Sequence, residues 1–234
     1  MFSLEADHFW GVDSFGAIYY SENNIFHKKW NDQELQYGDF ILGKLSSVSI
    51  LNPLKIVLFY EDSNTIILID KYFNEIDRIN FNTLTDFKNV TKVSAANDNS
   101  VWIFDSNTQR FELFDTDLRK TLLITQPIND LANILRSNFN YCWALTEKEL
   151  LQFNIYGSLI DRFPNEEYLD FQMTNNDLVI KKDNQLYYYN IQGKKSEKIN
   201  LPEIHIKQFY VTNEILYIYD QSKIYSFDLT SPKK

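Results

Sequence analysis

Cysteine, glycine and proline are scarce in this chain of 234 residues, which contains 1 Cys, 6 Gly and 5 Pro. A single cysteine excludes an intramolecular disulfide framework and a zinc site built from cysteines. So few glycines and prolines exclude collagen and the common low-complexity classes. No run approaches the roughly 18 to 20 consecutive apolar residues that a membrane-spanning helix needs. We therefore expect no membrane insertion.

Positive charge is also in short supply, because 23 Lys and Arg stand against 32 Asp and Glu, a formal net charge of −9. Basic residues cluster only in pairs such as Lys28-Lys29 and Lys181-Lys182. An acidic chain without a basic run repels phosphate backbones, so we expect no nucleic-acid partner. The first residues show neither the basic leader nor the apolar core of a secretion signal. Two interpretations stay open, a cytoplasmic protein or a mature exported form.

Aromatic residues are abundant, at 16% of the chain, and one short pattern containing them recurs six times. Each copy begins with a run of apolar and aromatic residues that ends at an Asp, Asn or Thr in a turn. A second such run follows and ends at another polar residue. We call these two polar residues the anchors of the copy. The two anchors of a copy lie 7 to 10 residues apart, which predicts a hairpin of two short strands. The closing anchors, spaced by 49, 45, 39, 36 and 38 residues, are Ser21, Asp70, Asp115, Asn154, Asn190 and Asp228.

Further strand candidates flank these hairpins. Those that follow a hairpin are Glu75–Phe81, Lys120–Thr125, Leu159–Phe163 and Glu197–Leu201. Those that precede one are Leu45–Ile50, Asn89–Ala95, Asn133–Ser137, Tyr168–Met173 and Lys207–Val211. Four short strands per unit of about 40 residues are typical of a β-propeller blade.

The sequence therefore predicts an all-β fold, a six-bladed β-propeller with about four antiparallel strands per blade, as a single domain over residues 1–234. Asn31–Gly43 is expected to be irregular and to account for the first spacing of 49 residues. Because an open ring would expose unpaired strand edges, Phe2–Ala6 should complete the last blade, unless that blade keeps three strands.

This pattern resembles six-bladed propellers of the NHL and tryptophan-rich lyase-like kind, over nearly the whole chain. The segments Phe9–Gly16 and Leu51–Ile56 further resemble small exported propellers of Gram-negative outer-membrane secretion and assembly machinery, including the type 9 secretion plug. That resemblance implies a periplasmic or outer-membrane-associated location and an accessory role in an envelope complex. It carries over no functional residue, since its motifs specify a fold and not an activity.

No catalytic constellation is visible. The three histidines are scattered, Cys142 lies inside a predicted strand, and the repeated Asp and Asn residues are explained by turn capping. Asp170 and Asn138 are the polar residues that the innermost strands offer for a metal, and they are too few for a lactonase site. We therefore expect no catalytic residue, no metal and no cofactor. The alternatives are a metal-dependent propeller hydrolase or lyase, or a glycan-binding propeller.

The aromatic residues favour a non-enzymatic protein-interaction module that is a monomer on its own. Three tryptophans in nearly equivalent positions are expected to pack between neighbouring blades, namely Trp10, Trp102 and Trp143. Tyr188, Tyr219 and Trp30 are predicted to be exposed and to bind another protein, because tyrosine and tryptophan are enriched in binding patches.

Overall fold

The computed structural model describes residues 2–97, 99–174, 177–212 and 214–229. Over this part of the chain the fold is all-β, a six-bladed propeller whose blades are six four-stranded antiparallel sheets. Helical structure is limited to two short 3-10 turns, Phe40–Leu42 and Phe81–Thr83.

The strands run in chain order from one blade to the next. The N-terminal strand is β1 (Phe2–Ser3). Blade 1 contains β2 (His8–Val12), β3 (Ile18–Glu22), β4 (Ile25–Trp30) and β5 (Gln33–Tyr37). Blade 2 contains β6 (Ser47–Ser49), β7 (Lys55–Tyr60), β8 (Thr65–Asp70) and β9 (Glu75–Asn80). Blade 3 contains β10 (Val90–Ala95), β11 (Ser100–Asp105), β12 (Arg110–Asp115) and β13 (Lys120–Ile124).

The remaining blades follow the same order. Blade 4 contains β14 (Ile134–Ser137), β15 (Tyr141–Leu145), β16 (Glu149–Asn154) and β17 (Leu159–Pro164). Blade 5 contains β18 (Asp170–Thr174), β19 (Asp177–Lys182), β20 (Gln185–Asn190) and β21 (Lys195–Lys198). Blade 6 contains β22 (Gln208–Val211), β23 (Ile215–Tyr219) and β24 (Lys223–Asp228), and β1 is its fourth strand.

The chain divides into two compact units. The first unit is Met1–Gly38 with Glu167–Lys234 and contains blades 1, 5 and 6. The second unit is Asp39–Glu166 and contains blades 2, 3 and 4. The predicted single domain over the whole chain stays a prediction.

The central strands are buried along most of their length. In β8 every residue from Thr65 to Ile69 is buried, and so the strand is a continuous apolar run without polar alternation. Trp102 of blade 3 packs in one cluster with Cys142 and Ala144 of blade 4, as expected for a tryptophan between blades. Outer strands are different, because β13 alternates between exposed and half-buried residues.

The predicted N-terminal strand is confirmed. Phe2 pairs with Ile224 and Ser3 with Lys223, and the Leu4 backbone N–H donates to the Ser222 carbonyl at 2.9 Å. The pairing covers less than the predicted Phe2–Ala6, but it gives blade 6 its outer strand. The predicted flanking strands are also present, with ends that shift by one to three residues.

Blade 1 corrects the predicted repeat. Its first hairpin joins β2 to β3, the innermost pair of the sheet, whereas the other copies are second and third strands. Trp10 therefore does not occupy the position of the other two tryptophans. The segment Asn31–Gly43 is not irregular, because it contains β5. The distance from Asn31, the residue that follows β4, to Asp70 is 39 residues, so the first interval matches the rest.

Candidate interaction surface

The sheets of the second unit present two ends, which differ in the chain segments they expose. In a four-stranded antiparallel meander the turn between strands one and two lies at the same end as the turn between strands three and four. We call this end of the second unit the hairpin end. Its described turn residues are 50–54, 71–74, 96–97, 99, 116–119, 138–140 and 155–158. The chain crosses from blade to blade at the opposite end, here called the crossing end.

Direct contacts bring the turns of the three blades together. The Lys55 ammonium of blade 2 donates to Asn99 Oδ1 of blade 3 at 3.0 Å, and Asn99 Nδ2 donates to Asp117 Oδ2 at 2.5 Å. A cavity of about 30 Å³ between these turns is lined by residues of all three blades, including Asn52, Thr116 and Phe139. The hairpin end is thus one surface and not three separate sets of loops.

Large apolar side chains occupy the tips of these turns. Each is between 52% and 75% exposed, and they are Leu54, Tyr72, Leu118, Phe139 and Tyr156. The first residues of the outer strands extend the surface with three more exposed aliphatic side chains, Ile76, Leu159 and Ile160. Single exposed apolar residues are normal in proteins, whereas a set gathered at one end is typical of an interaction site.

An Asp or Asn side chain holds most of these tips in place. In four turns its Oδ1 accepts a hydrogen bond from the backbone N–H of the exposed apolar residue, two or three positions further on. The pairs and distances are Leu54 to Asn52 at 3.0 Å, Tyr72 to Asp70 at 2.8 Å, Leu118 to Asp115 at 2.8 Å and Tyr156 to Asn154 at 2.9 Å. Such Asx turns fix the backbone while the apolar side chain projects outward.

The residue after three of the tips adopts a left-handed backbone conformation. Phe73 has φ of 67°, Arg119 has 55° and Gly157 has 75°. Only glycine takes this conformation without steric cost. Phe73 compensates by burying its ring, and Arg119 reaches across to Asp77 of blade 2. Each tip is therefore held by a defined turn on both sides.

Acidic and basic side chains of the hairpin end have different surroundings. The hydrogen bond from the Asn74 amide, supported by two backbone N–H groups, lowers the pKa of Asp70, so that carboxylate stays ionised within its turn. The Lys71 ammonium lies 4.8 Å from the centre of the Tyr72 ring, within cation–π distance.

The crossing end also exposes apolar side chains, but in a different setting. Phe40 and Ile41 are 71% and 93% exposed, and Phe87 and Leu131 are about half exposed. Their neighbourhood is acidic: Asp86 is a mostly exposed partner of Lys88, and Asp130 accepts from the Leu131 and Lys148 backbone N–H groups. These residues provide a comparison for the hairpin end.

The structure buries two of the three predicted binding residues. Tyr188 is 8% exposed and donates its hydroxyl hydrogen to Asp177 Oδ2 at 2.8 Å. Tyr219 is 0% exposed, and its hydroxyl bonds the backbone N–H and carbonyl of Ala6 at 3.0 and 2.8 Å. The expected exposure is wrong for both. Trp30 is 47% exposed, as expected, and its binding role stays a prediction.

The error has a simple cause. In a single sheet, alternate residues face opposite sides, so one of three consecutive tyrosines was expected to reach solvent. Within the first unit, however, Tyr188 of blade 5 packs in one cluster with Phe209 and Leu216 of blade 6. When blades cover both faces of a sheet, alternation sends side chains from one buried face to another. Exposed side chains are then found mainly at turns and on outer strands. Trp30 is the last residue of β4 and lies beside the turn to β5.

The described residues bring together no metal site. No group of three or more His, Cys, Asp or Glu side chains that could hold a metal ion occurs among them. Asn138 Oδ1 accepts backbone hydrogen bonds from Asn140 and Tyr141, which accounts for its place in a turn. The Asp170 carboxylate accepts from the Phe171 backbone N–H at 2.7 Å.

A histidine, a glutamate and a tyrosine do meet on blade 1. Glu34 Oε1 lies 2.7 Å from both the Tyr20 hydroxyl and His27 Nδ1, and the Tyr20 and His27 rings stack at 4.8 Å. The Tyr20 hydrogen bond is the main cause that lowers the pKa of Glu34, and burial raises the pKa of Tyr20. The three side chains lie on adjacent strands, so their contacts stabilise the pairing of β3, β4 and β5.

A cleft of about 270 Å³ lies in the first unit, between the start of β20 and residues 199–206. The Asn184 side chain ties this segment down, since it donates to the Ile204 carbonyl and accepts from the Ile206 backbone N–H. The lining contains no aromatic residue. A glycan site built on stacking against Trp or Tyr therefore does not fit this cleft.

The sequence predicts binding through exposed aromatic residues but does not identify the hairpin end. The available signal was local: Tyr72, Leu118 and Tyr156 follow the closing anchors Asp70, Asp115 and Asn154 by two or three residues. A large apolar residue at that position of an Asx turn is exposed, and the repeat supplies it in three consecutive blades.

Comparison with known proteins supports the fold and nothing finer. No family model matches the chain, and no curated protein matches it significantly in sequence. A streptogramin B lyase structure is 11% identical, with a TM-score of 0.67 over 99% of this chain and 86% of that one.

Two further structures extend the comparison. Virginiamycin B lyase from Staphylococcus aureus is 12% identical, with a TM-score of 0.68 over 99% of this chain and 89% of its own. The WD40 domain of Neurospora crassa Pan2 is 9% identical, with a TM-score of 0.66 over 96% of this chain and 76% of its own. At these identities the chain shares with lyases and WD40 domains the propeller fold, the only property that the similarity shows.

Proposed function

We propose that this protein is a non-enzymatic interaction module that binds a protein partner through the hairpin end of its second unit. The observation that carries the proposal is the set of five exposed apolar turn tips, Leu54, Tyr72, Leu118, Phe139 and Tyr156, gathered at one end of three blades. Desolvated aromatic and aliphatic side chains supply most of the binding energy in protein interfaces. The fold itself does not choose between functions, since propellers serve both as enzymes and as interaction domains.

The setting that we propose is the cell envelope, with the protein as an accessory component of an outer-membrane secretion or assembly complex. This part of the proposal is supported only by the resemblance of Phe9–Gly16 and Leu51–Ile56 to exported propellers. No helix in the described part of the chain is long and apolar enough to cross a membrane. Association with the outer membrane would then depend on a protein partner.

Site-specific photocrosslinking in the native host tests the partner-binding surface. A photoreactive phenylalanine analogue replaces Tyr156 in one variant and Phe87 in the control, because Phe87 is an exposed aromatic residue of the crossing end. We expect one stoichiometric protein adduct from position 156 and none from position 87. Crosslinking that is absent at the hairpin end, or equal at the two positions, would contradict the proposal.

Substitution of Tyr156 by Ser separates binding from folding. The residue is 75% exposed, and its backbone hydrogen bond to Asn154 does not need the ring. The free energy of unfolding should therefore change by less than about 0.5 kcal/mol, as for other surface substitutions. In the same variant, the yield of the adduct from the analogue placed at Tyr72 should fall.

The enzyme alternative is tested on the purified protein. Metal analysis after removal of loosely bound ions should give less than one equivalent per chain. One tightly bound equivalent that is lost in Asp170→Asn would favour the metal-dependent hydrolase or lyase instead.

A further inference from the structure

We infer that the partner presents to the hairpin end an acidic segment that also carries large apolar side chains. This inference rests on the proposed function and names the chemistry of the occupant. It depends on which charges of the hairpin end are already bound within the protein and which are free to meet a partner.

The described carboxylates of the hairpin end are bound within the protein. Asp70 and Asp115 accept backbone N–H groups of their own turns. Asp117 accepts the Asn99 amide, and Glu75 forms a two-point ion pair with Arg78. A carboxylate oxygen that already accepts such a hydrogen bond is less available to a cation on a partner than a carboxylate without internal donors.

The lysines of the same surface form no ion pair with a carboxylate among the described residues, although Lys55 lies opposite Asp70 and Lys120 lies opposite Asp115 on paired strands. Lys55 donates only to a neutral amide oxygen, that of Asn99. Lys71 lies over the ring of Tyr72, and Lys120 is exposed at the start of β13. Formal charges at the hairpin end cancel, but the groups that project beside the apolar tips are ammonium groups.

This arrangement is unusual for a chain with a formal net charge of −9. The average surface of such a protein repels an acidic partner, whereas free ammonium groups beside apolar tips attract one locally. Contacts between apolar side chains would provide the affinity, whereas the lysines would orient the partner and increase its association rate. A basic partner segment would meet unpaired ammonium groups and be disfavoured.

Two peptides of equal length test this chemistry, one alternating Glu with Leu and Phe and the other alternating Lys with the same apolar residues. Fluorescence anisotropy at low ionic strength measures the binding of each to the full chain. We expect the acidic peptide to bind at least about tenfold more tightly, and its affinity to fall as salt screens the lysines. Equal affinities, tighter binding of the basic peptide, or binding of neither would overturn the inference.

Charge reversal at the surface provides a matched comparison. The double substitution Lys71→Glu with Lys120→Glu should weaken the acidic peptide by about tenfold. Lys44→Glu with Lys148→Glu makes the same change in charge at exposed positions of the crossing end and should leave the affinity within about twofold. An equal loss in both variants would show a long-range effect of net charge and would contradict the inference.

A lipid surface is distinguished in the same series. Vesicles of phosphatidylcholine with 30% phosphatidylserine, about the composition of an anionic membrane, should not sediment the protein. Sedimentation that depends on Lys71 and Lys120 would show that the ligand of this surface is an anionic lipid and would overturn the inference of an acidic peptide segment. If the photocrosslink from Tyr156 persists while charge reversal leaves its yield unchanged, this inference fails and the proposed function stands. If no adduct forms at all, the proposed function itself fails.

Discussion

Two glycines with nearly the same backbone conformation should respond very differently to substitution by alanine. Gly16 has φ of 81° and Gly157 has φ of 75°, and each lies three residues after the Asp or Asn of an Asx turn. A Cβ atom at Gly16 would meet nothing within 4 Å. A Cβ atom at Gly157 would lie 2.2 Å from Leu123 Cδ2 and 3.1 Å from its Cγ.

The magnitudes follow from these geometries. Alanine in a left-handed conformation costs about 1–2 kcal/mol, and this cost is common to both positions. At Gly157 the added methyl group must also displace Leu123, which packs against the cluster around Trp102. Overpacking of this kind costs about 1–3 kcal/mol more. We therefore expect Gly157→Ala to destabilise the protein by about 2–5 kcal/mol and Gly16→Ala by about 1–2 kcal/mol.

Urea unfolding followed by tryptophan fluorescence measures both effects, and Leu123→Ala completes a double-mutant cycle. With Leu123 shortened, the clash is gone, so Gly157→Ala should cost the same as Gly16→Ala. Equal costs in the unaltered background would refute the reasoning, since they would mean that Leu123 is not in contact with the turn. An unchanged cost in the Leu123→Ala background would refute it as well.

Three further predictions concern the interior. Glu112→Gln should cost about 3–5 kcal/mol in urea unfolding, because it leaves the buried Lys88 ammonium, now 2.8 Å from the Glu112 carboxylate, without its buried partner; replacing both residues by apolar ones should cost far less. Burial opposes the charge on Lys88, but the hydrogen bonds that its ammonium donates to two carboxylates prevail and raise its pKa. Its contribution to stability is therefore full below the unfolded lysine pKa of about 10.4 and should be lost as the pH rises through the folded value. Tyr219→Phe removes the hydroxyl that bonds both backbone groups of Ala6 and should lower the free energy of unfolding by about 1–2 kcal/mol, whereas no change would contradict a stabilising role of these two hydrogen bonds. The Cys142 thiol is buried, and burial raises its pKa well above the ordinary value, so a disulfide reagent should react with it only after unfolding, and rapid labelling in native buffer would contradict this.

The sequence predicted the blades well because their strands obey local rules. Each hairpin needs two apolar runs and a turn residue that bonds its own backbone, and both features repeat along the chain. The flanking strand Asn133–Ser137 was placed within one residue of β14 at its start. The predicted repeat is out of step in blade 1, because the first two strands of that blade have the apolar and Asp pattern that the other blades have on their second and third strands. Only the sheet order resolves which pair of strands a hairpin contains.

Burial of single aromatic residues could not be predicted in the same way. Tyr188 and Tyr219 each pack in a cluster with residues of a neighbouring blade of the same unit, and this burial depends on that blade and not on the strand itself. The polar tip of Tyr219 finds partners 213 residues away in sequence, at Ala6. The hydrogen-bond partner of a buried tyrosine hydroxyl therefore follows from the fold and cannot be found from the composition.

The Asx turns show that the apolar tips of the hairpin end are not a requirement of the fold. Elsewhere in the chain the same hydrogen bond, from the backbone N–H two residues after an Asp or Asn, is donated by apolar residues in some turns, such as Phe15 and Ile41. In others a polar residue donates it: Asn82 to Asn80 at 2.9 Å and Ser222 to Asp220 at 2.8 Å. These turns form as well with a polar side chain at the tip, so folding does not explain Tyr72 or Tyr156. An exposed apolar side chain lowers solubility and adds little to stability, since it contacts water and not the core. Its recurrence at one end of three consecutive blades therefore points to a contact that the isolated chain does not make.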